Sequence, residues 1–66
     1  MIDDEEKQRL INRYRHMMVD SGMRPSTVSD EELLGMFRSD SLTDTLNDMR
    51  KILSLVPETY WKANGL

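Results

Sequence analysis

Residues 41–57 read SLTDTLNDMRKILSLVP, and this segment decides the fold class. Five of its apolar residues alternate in spacing between four and three: Leu42, Leu46, Met49, Leu53 and Val56. This is the period of an amphipathic helix. Ser41 with Asp44 three residues later is a capping signal, and Pro57 stops the helix. We predict a helix over 41–55 that packs inside the chain, because two heptads are too short for a free coiled coil.

Upstream of this segment, Ser29-Asp30-Glu31-Glu32 is the clearest helix start in the chain. It has the form of a capping box, in which the Ser29 hydroxyl bonds forward and the Glu32 carboxylate bonds back. We predict a second helix over 30–38. Gly35 lies inside it, weakens it by about 1 kcal/mol relative to alanine, and is expected to permit close helix packing.

The remaining helical pattern lies at the two ends. One apolar stripe at helical spacing predicts a first helix over 4–21, and it consists of Leu10, Ile11, Tyr14, Met17 and Met18. Asp3 or Asp4 can cap its start, and Gly22 offers a left-handed end. Pro57 at a first helical position predicts a short turn over 57–62. Nothing alternates with the period of a strand.

These elements predict an all-α fold: a small open bundle of three helices plus a short C-terminal helical turn, in a single domain over 1–66. The chain has 66 residues, no cysteine and a formal net charge of -3. No apolar run approaches the roughly 20 residues that span a bilayer. The acidic N-terminal segment lacks the charge pattern of a signal peptide, and we expect a cytoplasmic protein without disulfides.

Five internal methionines are many for so small a core: Met17, Met18, Met23, Met36 and Met49. Methionine fills irregular gaps between helices and is also frequent on adaptable binding surfaces. We predict core filling rather than a binding patch, with the patch as the alternative.

Catalytic and metal-binding chemistry find little support in the residue types. Nucleophilic catalysis needs an activated side chain beside a base, and His16 is the single imidazole, with no glycine-rich elbow near any serine. Acidic residues 3–6 are consecutive, so they point around a helix rather than converge on a metal. No phosphate-binding or dinucleotide motif occurs. We expect no enzyme, no metal and no cofactor.

Nucleic-acid binding is an alternative based on the first helix. Arg9, Arg13 and Arg15 lie close together there and can track phosphates. The exposed face of the 41–55 helix, however, carries Asp44 and Asp48, whose charge opposes docking on a phosphate backbone. We therefore expect nucleic acid to be bound weakly or indirectly.

Two neighbouring aromatic residues near the end of the chain, Tyr60 and Trp61, are candidates for a protein contact. Adjacent residues on a helical turn diverge by about 100 degrees, so one can reach the core while the other faces outward. Aromatic side chains often dominate protein interfaces. We expect this aromatic pair to anchor the C-terminal turn to the core. As the alternative, both residues are candidate contacts for a protein partner.

The second half of the chain resembles the Hha/YmoA family of small bacterial regulators that modulate haemolysin expression. The resemblance lies in Ser29-Asp30-Glu31-Glu32-Leu33, Met36-Phe37-Arg38, Val56-Pro57 and Trp61-Lys62. The family's Asp-His-Arg stretch is replaced here by Asp40-Ser41-Leu42-Thr43, and its first-helix cysteine is absent. The resemblance implies a non-enzymatic protein that binds a nucleoid-associated repressor resembling H-NS. No binding residue of the family carries over.

The sequence thus predicts a small regulatory protein that acts by protein–protein binding, with Asp44, Asp48, Tyr60 and Trp61 as candidate contacts. The most concrete partner is a nucleoid-associated transcriptional repressor, and homo-oligomers are an option. One alternative is a phage- or plasmid-encoded inhibitor that docks on a host protein. Another is a small DNA-binding module that uses the first helix.

Overall fold

The computed structural model of the chain describes residues 2–37 and 39–66. Four helices follow one another in this part of the chain: α1 (Asp4–Asp20), α2 (Asp30–Gly35), α3 (Leu42–Leu53) and α4 (Glu58–Ala63). The described residues contain no strand. The predicted all-α fold class is therefore confirmed.

Three helices begin where the sequence places a capping residue. The side chains of Asp3, Ser29 and Ser41 each accept a hydrogen bond from the main-chain N–H three residues later, at 2.8, 3.1 and 3.1 Å. The reciprocal half of the predicted capping box is not found among the described residues. Instead the Glu32 carboxylate lies 3.9 Å from the Arg24 guanidinium. The cap at Ser29 therefore depends on the serine hydroxyl alone.

Helix α2 is shorter than the predicted helix over 30–38. The N–H groups of Met36 and Phe37 bond to carbonyls three residues earlier, which tightens and ends the helix after Gly35. Arg38 lies outside the described residues. A Cβ added at Gly35 would meet nothing within 4 Å, so the expectation that this glycine permits close packing is wrong.

Helix α3 ends at Leu53, two residues before the predicted end. Leu55 and Val56 donate to carbonyls three residues earlier, and Pro57 disfavours a helical conformation for the residue before it. Pro57 has an extended conformation and caps α4 rather than occupying its first turn. Helix α4 therefore spans Glu58–Ala63, one residue later than predicted at each end.

Two glycines with left-handed backbone end α1 and α4 in the same way. After α1, Gly22 has φ 77° and the Met23 N–H reaches back to the Met18 carbonyl at 3.0 Å. After α4, Gly65 has φ 74° and the N–H of Leu66 donates to the Trp61 carbonyl at 2.8 Å. Both are Schellman turns, and the second one folds the end of the chain back towards α1.

One core joins the four helices. Helix α1 packs against α2 and α3, and α4 adds its indole to the same cluster. The buried apolar residues are Leu10, Ile11, Tyr14, Met18, Val28, Leu33, Leu46, Met49, Leu53 and Trp61. The centre of the predicted α3 seam is confirmed as core, since Leu46, Met49 and Leu53 are each less than 5% exposed. At its ends, Leu42 is exposed and Val56 is half-buried.

The methionines follow the favoured prediction of core filling. Met18 and Met49 are buried, and Met17 and Met36 pack against the core from its edge. Met23, in the turn after α1, is exposed. The adaptable thioether side chains therefore fill space between helices, and they do not form a continuous methionine surface.

The overall dimensions agree with one small packed unit. The radius of gyration is 11.5 Å, close to the roughly 11 Å expected for a compact chain of this length. None of the helices in the described ranges combines the length and the apolar character that crossing a bilayer requires.

Candidate functional site

Arg13, a candidate phosphate contact in the sequence, faces the C-terminal part of the chain. Its guanidinium donates to the main-chain oxygen of Leu66 at 3.0 Å and lies 3.4 Å from the Glu58 carboxylate. It also lies over the indole of Trp61, 5.2 Å from the ring centroid. Arg13 therefore holds α4 and the turn after it against α1. Its positive charge is engaged by the Leu66 oxygen and the Glu58 carboxylate.

The other two candidate arginines of α1 differ from each other in their surroundings. Arg15 donates to the main-chain oxygen of Val28 at 3.3 Å and forms an ion pair with Asp30, which ties the loop before α2 to α1. Arg9 is exposed, and no ion pair joins it to another described residue. Arg9 and Arg13 line one groove, which Leu66 also lines, but Arg15 contacts the loop before α2 instead. The structure therefore does not bring all three arginines together as one cationic surface.

The two candidate aromatic residues, Tyr60 and Trp61, differ in burial. Trp61 is 1% exposed and belongs to the core, so it is corrected here from a candidate surface contact to a structural residue. Its large ring is the main apolar contribution of α4 to the core, and this explains why the indole is buried rather than exposed for a contact. Tyr60 is half-buried at the surface of α4, and its ring is in a T-shaped arrangement with the indole of Trp61 at a centroid distance of 5.0 Å.

Tyr60 connects α4 to the C-terminal half of α1. Its hydroxyl donates to the Asp20 carboxylate at 3.2 Å, and its ring lies 5.9 Å from the imidazole of His16. Partial burial and the charge of Asp20, which accepts the hydrogen bond, raise the pKa of Tyr60 above its ordinary value of 10.0. The neutral phenol is thus the form that fits this contact.

His16 lies beside an open groove of about 280 Å³ that Ser26 also lines. Its Nε2 atom is buried, and no described residue offers it a hydrogen-bond partner. A serine nucleophile needs a base within hydrogen-bond reach, and no hydrogen bond joins Ser26 to His16 among the described residues. The geometry here does not assemble a nucleophile and base.

Among described residues, no three His, Asp or Glu side chains converge as a metal-ligand set.

The candidate carboxylates Asp44 and Asp48 are exposed on α3. The main-chain N–H of Asp44 donates to the Ser41 hydroxyl at 3.1 Å. Asp48 accepts a hydrogen bond from Ser39 at 3.3 Å. Neither carboxylate forms an ion pair with any described residue, in contrast to the carboxylates that hold Arg13 and Arg15.

Large apolar side chains lie beside these carboxylates, and the sequence reading missed them. Leu55 is 84% exposed and Ile52 is 38% exposed. Spacings of four, three and four place Asp44, Asp48, Lys51 and Leu55 in one row, since Ser54 keeps right-handed helical dihedrals beyond the end of α3. We call these four residues and Ile52 the outer face of α3.

A signal for this face was present in the sequence. Leu55 falls outside the four–three spacing that defines the buried seam of α3, so periodicity alone puts it on the opposite side of the helix. Ile52 lies at the edge of the buried seam and is partly exposed.

The chain matches no family model, no curated protein and no solved structure in the comparisons made. The resemblance to the Hha/YmoA family is therefore still a hypothesis from sequence motifs.

Proposed function

We propose that this protein is a non-enzymatic regulator that acts by binding another protein through the outer face of α3. The observation that carries the proposal is the contrast between two arginines of α1 and two carboxylates of α3. Arg13 and Arg15 are held by carboxylates and main-chain oxygens of the chain itself. Asp44 and Asp48 are exposed without an ion pair among described residues.

The apolar content of the same face supports a protein partner. Protein interfaces combine an apolar centre with a polar and charged rim. Ile52 and Leu55 supply apolar surface beside the two carboxylates. The burial of Trp61 removes one candidate contact, and Tyr60 is engaged with Asp20, so the proposed site now centres on α3.

The resemblance to the Hha/YmoA family adds a candidate for the partner. It implies a nucleoid-associated transcriptional repressor, and the protein would then modulate gene silencing. A phage- or plasmid-encoded inhibitor that docks on a host protein would use the same face, and only the partner's identity separates the two proposals.

The DNA-binding alternative is weaker for a physical reason. Affinity for duplex DNA grows with the number of phosphates that cations neutralise. With Arg13 and Arg15 engaged inside the chain, Arg9 is the remaining candidate of the three. One arginine beside the N-terminal carboxylates of α1 would release too few counterions for tight binding.

The test compares capture from a bacterial lysate with titration of labelled duplex DNA. We expect one protein partner bound with micromolar or tighter affinity, and weak or undetectable DNA binding at physiological salt. Charge reversal at Asp44 and Asp48 should release the partner, whereas Arg9→Glu should not. Tight DNA binding that falls steeply with salt and is lost in Arg9→Glu, with no protein recovered, would replace this proposal with the DNA-binding one.

A further inference from the structure

We infer that the partner segment that docks on the outer face of α3 is a cationic amphipathic helix. This inference rests on the proposed function, and it specifies the chemistry of the partner at the same site. Three properties of the face lead to it: the apolar side chains at its C-terminal end, the unpaired carboxylates at its N-terminal half, and the charge of the whole chain.

The apolar end defines where the contact begins. Leu55 is 84% exposed and Ile52 is 38% exposed, and they lie three residues apart at the end of α3. Residues at this spacing on a helix form one ridge, which fits between the side chains of a second helix. A peptide that binds by adding a strand would instead need an open sheet edge, and the described residues contain no strand.

The carboxylates define the charge of the occupant. Asp44 and Asp48 are one helical turn apart in the same row as Leu55, and neither has an ion-pair partner among the described residues. A helix lying along this row with apolar residues over Ile52 and Leu55 would bring its next turns over the two carboxylates. Lysine or arginine there gives complementary charge, whereas glutamate or aspartate would be repelled.

A second copy of the chain fits this face less well. Two copies with antiparallel α3 helices can bring Asp48 of each near Lys51 of the other. The same arrangement places Leu55 opposite Asp44, which pairs an apolar side chain with a carboxylate. Each chain also has a net charge of -3, so two copies repel each other, whereas a cationic helix is attracted.

The test uses synthetic peptides and does not require the natural partner. One probe is a blocked peptide of about 18 residues, or five helical turns, made of leucine and lysine at amphipathic spacing. The second probe has glutamate in place of every lysine and the same leucines. Binding is followed by NMR shifts of the backbone amides of the full chain. We expect the lysine peptide to shift residues of the outer face of α3 and the glutamate peptide to leave them unchanged.

Four variants separate a specific site from general attraction. Asp44→Lys and Glu31→Lys change the net charge equally, and both residues lie in the first turn of their helix. We expect Asp44→Lys to weaken binding by roughly fivefold or more, and Glu31→Lys to change it less than about twofold. Lys51→Glu should strengthen binding, because it adds a carboxylate to the face. Leu55→Ser should weaken binding without a change in charge.

Equal binding of the two peptides would overturn the inference, as would equal weakening by Glu31→Lys and Asp44→Lys. Self-association detected by sedimentation, with no peptide binding, would assign the face to a second copy instead. A natural partner that depends on Asp44 and Asp48 but docks through a neutral or acidic segment would refute this inference alone. Failure to recover any partner would refute the proposed function as well.

Discussion

Replacing Arg13 by alanine should loosen the attachment of α4 to α1. The Arg13 guanidinium makes three contacts with the last nine residues: the hydrogen bond to the Leu66 main-chain oxygen, the ion pair with Glu58 and the stacking over Trp61. The side chain is 17% exposed, so most of it is shielded from solvent. Its loss removes all three contacts and the packing of its aliphatic stem.

The magnitude follows from these contacts. Stacking of a partly buried guanidinium on an indole contributes about 1 kcal/mol. A hydrogen bond from a charged donor to the Leu66 oxygen contributes about 1.5 kcal/mol. The pair with Glu58 adds only a few tenths, because that carboxylate is 69% exposed. The sum is about 2–3 kcal/mol, a large part of the roughly 3–10 kcal/mol expected for a chain of this size.

The assay is unfolding by urea and by heat, each followed by tryptophan fluorescence and by circular dichroism. Trp61 is the single tryptophan, so its emission reports directly on α4. We expect a melting temperature lower by roughly 10–20 °C for Arg13→Ala. Arg9→Ala serves as the matched control, with a change within about 0.5 kcal/mol. If the two variants unfold at the same urea concentration, Arg13 does not hold α4 and the reasoning is wrong.

Four further predictions concern stability. Leu46→Ala should cost roughly 2–5 kcal/mol, since it opens a cavity at a side chain that is 3% exposed; a folded variant with an unchanged melting temperature would contradict this. Ser29→Ala should cost about 1 kcal/mol through loss of the N-cap, measured by urea unfolding. Gly35→Ala should stabilise the chain by up to about 1 kcal/mol, because the added methyl group meets open space. The raised pKa of Tyr60 predicts stability that is fully present below pH 10.0 and falls as pH rises through the higher folded-state value; Tyr60→Phe should reduce this alkaline loss.

The helices could be predicted from sequence because their signals are local. Ser29 and Ser41 act as caps through bonds to N–H groups three residues away, and Gly22 ends α1 through its own backbone freedom. The seam of Leu46, Met49 and Leu53 follows from the helical period alone. The predicted ends were less accurate, because the last turns of α2 and α3 tighten into bonds spanning three residues.

The candidate site could be predicted only in part. Asp44 and Asp48 were expected to be exposed on the basis of helical spacing, and they are exposed. The sequence did not show which of Tyr60 and Trp61 is buried, because either of two adjacent aromatic residues on a helical turn can face the core. Leu55 was not among the predicted contacts, although its place outside the four–three spacing of the buried seam indicates an exposed side chain.

The sequence alone therefore determined the fold class, the caps and the buried seam, all of which depend on residues a few positions apart. The tertiary structure decided which charged side chains are paired inside the chain and which remain exposed. Arg13 looks like a free cation of α1 in the sequence, but its partner Leu66 lies 53 residues further along the chain. Such a pairing depends on how α4 docks, and docking is a balance of burial over the whole core. Asp44 and Asp48 are among the exposed charges that this docking leaves without an ion pair in the described part of the chain.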